Sequence, residues 1–126
     1  MAPTRLGKVQ LKIMSVLWER GSATAREITE QLSADQPIAH STVQTLLRGL
    51  MDKGAVKHVV EGRTFVFQPT VAEDKVRHSA MRDLLSQVFD GSVSELVAFL
   101  LKHEHVSRRE LDEIKRMIED KTRRKS

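Results

Sequence analysis

"IAHSTVQTLLRGLMDKGAVKHVVEGRTFVFQP", residues 38–69, is the stretch that decides the fold. Its first half carries Val43, Leu46, Leu47, Leu50 and Met51 at spacings of three and four, so a helix here buries one face. Ser41 and Gln44 stand in capping-box spacing at its start, and Gly54 stands where a left-handed cap closes a helix. The second half is two β-branched and aromatic runs parted by Glu61, Gly62 and Arg63, the pattern of a hairpin with a tight turn, and Pro69 ends it.

Outward toward the N-terminus, Leu6, Val9, Ile13, Val16 and Leu17 form a further helical stripe that Gly21 stops. Thr24 and Glu27 then open a second helix with capping-box spacing, running to about Ala34. Three short helices followed by a two-stranded hairpin is the order of a winged helix-turn-helix. The predicted fold class is therefore mainly α with a small β-hairpin wing, with a head over residues 5–70.

Beyond Pro69 the pattern is wholly helical. Val76, Ala80, Met81, Leu84, Leu85, Val88 and Phe89 make a wide stripe ended by Gly91. Two more helices open at Ser92 with Glu95 and at Ser107 with Glu110. Residues 71–120 carry more apolar surface than so short a segment buries by itself, and a second copy of the chain is the expected cover. The expected dimerisation residues are Leu84, Leu85, Val88, Leu96, Leu100, Leu111, Ile114 and Ile118. A basic tail, residues 121–126, completes the chain.

The outward face of the third helix shows the chemistry. Ser41, Thr42, Gln44, Thr45 and Arg48 lie opposite its apolar stripe, where a helix needing only solubility carries Glu and Lys pairs. Gln addresses adenine, Arg addresses guanine, and Thr meets a thymine methyl. Arg63 at the hairpin tip, with Lys57 on the adjoining strand, supplies charge for phosphates or a minor groove. Residues 1–70 hold 9 Lys or Arg against 6 Asp or Glu, and residues 71–120 hold 8 against 11, so the head carries the basic excess. The expected partner is double-stranded DNA.

Other function classes fit less well. No nucleophile elbow, phosphate loop or paired-carboxylate arrangement is present, which argues against an enzyme. A winged helix serving as a protein-interaction module calls for an apolar or acidic third-helix face. A ligand-binding regulator of the MarR type calls for an aromatic-lined pocket, and the chain has four Phe, one Trp and no Tyr. There is no cysteine, and His103, His105 and His78 are read as solvated or dimer-edge side chains, so no metal or cofactor is expected. The longest apolar run, "LVAFLL" at 96–101, is far short of a membrane span, and a cytoplasmic location without membrane insertion is expected.

"IMSVLWERG" at 13–21, "STVQTLL" at 41–47 and "EGRTFVFQP" at 61–69 together resemble the penicillinase-repressor (BlaI/MecI) family, over nearly the whole chain. The resemblance implies a homodimeric repressor with winged-helix heads on an inverted-repeat operator and C-terminal helices as the dimerisation region. It also implies release by proteolysis near Phe99 and Leu100, triggered through a membrane-bound sensor protease. The chain departs from the family in having His40, Ser41 and Thr42 where a Tyr-Thr-Thr run is common, Gly49 in mid-helix, and no Asn at the expected cut.

Overall fold

The computed structural model describes residues 6–125, with only the backbone of Lys125; the head's first residue, position 5, and the tail's last, position 126, lie outside the described residues. In chain order the elements are α1 (Lys8–Arg20), β1 (Ala23–Thr24), α2 (Ala25–Ser33), α3 (His40–Asp52), β2 (Val56–Glu61), β3 (Thr64–Pro69), α4 (Glu73–Val88), α5 (Val93–His103) and α6 (Arg108–Lys125). The chain divides into two compact units, the first ending at Asp83 and the second starting at Leu84.

The first unit is a winged helix. Its core joins the predicted stripes: Ile13, Val16 and Leu17 from α1, Ile28 from α2, and Val43, Leu47 and Leu50 from α3. Met14, which the stripe reading passed over, is as deeply buried as these. Trp18 packs against the core and donates its indole N–H to the Val71 carbonyl at 2.9 Å, so the segment leaving the wing is tied to α1. With Val76 of α4 also buried, this unit continues past residue 70.

The wing has three strands, not two, in the order β1-β3-β2. β3 lies between β2 and the short β1, antiparallel to both, with Ala23 opposite Phe67 and Thr24 opposite Val66. Glu61 pairs with Thr64, which leaves Gly62 and Arg63 as a two-residue turn. Gly62 takes φ +66° while Arg63 stays at negative φ, the pattern in which glycine fills the first turn position and the strands keep their natural twist.

Thr24 caps α2 as predicted: its hydroxyl accepts the Glu27 amide at 3.1 Å, and the Glu27 carboxylate accepts the Thr24 amide at 2.8 Å. The predicted cap at Ser41 is corrected. α3 starts two residues earlier than a cap at Ser41 requires, at His40, with Ala39 as the extended residue before it and no side-chain cap. Ser41 is already helical, so its side chain does not take up the extended cap position from which it would accept the Gln44 amide, and its carbonyl accepts the Thr45 hydroxyl at 3.0 Å.

In the second unit Ser92 accepts the Glu95 amide and Ser107 the Glu110 amide, as their spacing predicts. Between α4 and α5, Asp90 and Gly91 both take positive φ, and the Gly91 amide reaches the Leu85 carbonyl at 2.8 Å. The basic stretch from Lys121 is not a separate tail but the last turns of α6. Among the described residues no single helix is long and apolar enough to cross a membrane.

Candidate nucleic-acid interface

α2 and α3 stand as the two helices of a helix-turn-helix, and the wing closes one side of α3. Together they form a cleft of about 710 Å³. Its floor is apolar, made by Met51 of α3 with Phe65 and Phe67 of β3, and its rim is polar. Gln44 and Arg48 reach it from α3 and Arg63 from the turn, so three of the predicted side chains meet in one place.

The remaining predicted residues fall elsewhere. Ser41, Thr42 and Thr45 are exposed on α3 but do not line the cleft. The Thr45 hydroxyl donates its hydrogen to the Ser41 carbonyl, which leaves it only acceptor capacity toward a partner. Lys57 is exposed but sits on the opposite strand face from His58, because successive strand residues alternate. His58 is the residue turned toward the aromatic floor, its ring 4.4 Å from that of Phe65 and 6.0 Å from that of Phe67. Lys57 pairs with Gln68 and so lies far from the turn where Arg63 sits.

Two rim residues escaped the sequence reading: Arg26 in the first turn of α2, and His40 at the start of α3. A signal for Arg26 existed, since it lies about 200° around the helix from Ile28, the residue α2 buries. His40 carried none, because its role depends on the neighbouring helix.

The charge on the rim is uncompensated. Among the described residues no carboxylate forms an ion pair with Arg26, Arg48 or Arg63. Glu27, one residue from Arg26, is engaged instead by the Thr24 amide and by Arg20 at 3.1 Å, which together hold its carboxyl below the usual carboxylate range. Three free guanidiniums and one amide around an apolar floor suit a phosphate-bearing partner with flat, hydrogen-bonding edges.

In the second unit Leu84, Val88, Leu100, Leu111 and Ile118 are exposed in the single chain, whereas Leu96 and Ile114 are partly covered. Leu85 differs from the expectation: it is only 3% exposed, so its side chain is already covered within one chain. Phe99 is half exposed and packs its ring against Phe89 and His103, at 5.8 and 4.2 Å. His78 and His105 are exposed.

The family model described as "Penicillinase repressor" matches residues 6–120. The chain belongs to the penicillinase-repressor family. It is 28% identical to the penicillinase repressor of Bacillus licheniformis, over 96% of this chain and 94% of that protein. It is 32% identical to the transcriptional regulator BlaI of Mycobacterium tuberculosis (strain CDC 1551 / Oshkosh), over 91% of this chain and 83% of that one. Among solved structures, the DNA-binding domain of the repressor BlaI superposes with a TM-score of 0.52 at 34% identity, covering 58% of this chain and 90% of that domain. For this member of the penicillinase-repressor family, the winged helix read from residues 38–69 is thus matched by a solved relative.

Proposed function

We propose that this protein is a DNA-binding transcriptional repressor that seats α3 in a major groove and lays the wing on the adjoining backbone. The observation that carries the reading is the convergence of Gln44, Arg48 and Arg63, joined by Arg26, on one cleft with no carboxylate to neutralise it. Membership of a family whose named relatives are repressors supports it. In this reading Gln44 and Arg48 address base edges, Arg63 and Arg26 hold phosphates, and Ser41, Thr42 and Thr45 line the groove wall. Lys57, on the far face of the hairpin, adds long-range attraction more than contact.

The working form is a homodimer on an inverted repeat, formed through the exposed apolar faces of α4, α5 and α6. Release by a membrane-bound sensor protease would cut near Phe99 and Leu100. That bond lies inside α5, so the helix must unwind before a protease can take the chain as an extended strand.

The test is a binding titration of the full chain against two duplexes, one enriched by the protein from a randomised pool and one of random sequence. Gln44→Ala and Arg48→Ala each cost about 1–3 kcal/mol on the enriched duplex and little on the random one. Arg63→Ala weakens both and lowers the salt slope by about 2 per dimer, one phosphate contact per head. Equal losses on both duplexes for all three variants would remove base reading from the proposal, and no enrichment at all would overturn it.

A further inference from the structure

His40 opens α3 and lines the cleft beside Gln44 and Arg48. Its Nδ1 lies 3.2 Å from the Thr29 hydroxyl oxygen on α2. A threonine hydroxyl has one hydrogen to give, and Thr29 donates it to the Ala25 carbonyl at 2.8 Å. Toward His40, therefore, the Thr29 oxygen is the acceptor and Nδ1–H the donor. A neutral imidazole with its hydrogen on Nδ1 carries a bare lone pair on Nε2, the ring nitrogen left for a ligand.

We propose that His40 is a specificity-determining residue, its Nε2 accepting a hydrogen bond from an exocyclic base amine in the major groove, adenine N6 or cytosine N4. Thr29 is the positioning residue that fixes the tautomer. The inference rests on the DNA-binding reading above and goes beyond it. Recognition helices present their N-terminal residues to base edges, and His40 is the first residue of α3. The cationic side chains on the same rim, Arg26, Arg48 and Arg63, can only donate, so they select guanine or phosphate oxygens. His40 in its neutral form does the opposite. A guanine or thymine edge set against Nε2 would bring two acceptors together, which disfavours those bases at that position.

The test uses the full chain at one fixed, mildly alkaline pH. Wild type, His40→Ala, Thr29→Val and Thr29→Ser are titrated against the duplex enriched from a randomised pool and against its single base-pair variants. Wild type is expected to lose roughly 5- to 100-fold at one base pair per half-site when adenine or cytosine there gives way to guanine or thymine. His40→Ala flattens that preference and leaves the other positions unchanged. Thr29→Val, which keeps the shape and removes the oxygen, flattens it too, while Thr29→Ser, which keeps the oxygen, restores it. A uniform loss for His40→Ala on every duplex overturns the proposal and makes His40 a backbone contact. A preserved preference in Thr29→Val overturns the tautomer control. Failure of the wild type to enrich any sequence overturns the DNA-binding reading itself, so the two failures are told apart.

Discussion

Gly49 lies in the middle of α3, where glycine costs about 1 kcal/mol relative to alanine. Its neighbour explains the choice. Gln10 of α1 is buried against it, and its Oε1 accepts the Gly7 amide at 3.1 Å and the Lys53 ammonium at 2.9 Å. A Cβ on residue 49 would stand 3.1 Å from Gln10 Nε2, a few tenths of an ångström too close. That amide end can swing slightly while Oε1 keeps its donors. Gly49→Ala is therefore expected to stabilise the head by less than the full propensity gain of about 1 kcal/mol. Gln10→Ala, which removes a buried side chain and its hydrogen bond to the Gly7 amide, is expected to cost about 1 kcal/mol. Midpoints of urea unfolding check both, and a loss of stability in Gly49→Ala would show that Gln10 is held rigidly.

At the scale of elements, the junction of β1 and α2 does two jobs. Thr24 pairs with Val66 of β3 and also caps α2, so one residue joins the wing to the helix-turn-helix. Thr24→Ala removes the cap and is expected to cost about 1 kcal/mol. The Glu27 half of the box depends on pH. Its carboxyl is held low first by the Thr24 amide and then by Arg20, so the folded pKa lies below the unfolded one. The stabilisation is therefore complete above the usual carboxylate range and fades as pH falls toward the folded value. The difference in Tm between wild type and Glu27→Gln is expected to be present at neutral pH and to shrink as pH falls through and below the usual carboxylate range. A difference that held constant through acid would mean the carboxylate charge contributes nothing.

The two compact units differ in how fully each covers its own apolar surface. The head has a closed core, whereas the second unit leaves Leu84, Val88, Leu100, Leu111 and Ile118 uncovered. These separate the test of dimerisation from a test of folding. Ile118→Asp places a charge on a side chain that is 59% exposed in the single chain, and it is expected to sediment as a monomer with helical circular dichroism retained. Leu85→Asp, at a buried side chain, is expected to unfold its unit instead. With the tethered second head gone, affinity for an inverted repeat should fall by about 10²–10⁴-fold while a single half-site is bound as before. An Ile118→Asp protein that stays dimeric would place the interface elsewhere.

The order of helices and hairpin is legible in the residues alone, because helical period, capping pairs and a Gly-containing turn act between residues a few positions apart. The stripes at Ile13 to Leu17 and Val43 to Leu50, the caps at Thr24, Ser92 and Ser107, and the turn at Gly62 are all of this kind. The base-reading candidates Gln44 and Arg48 followed from the same periodicity, as the face left over. Other features depend on distant partners. β1, two residues long, is a strand only because β3 lies beside it. Ser41 lost its cap because α3 begins at His40, a boundary that local propensity leaves open by a residue or two. Lys57 faces away because the pairing with β3 sets which strand face meets α3, and Arg26 and His40 join the cleft because α2 packs across α3. In each case the controlling contact comes from another element, and short-range pattern carries no record of it.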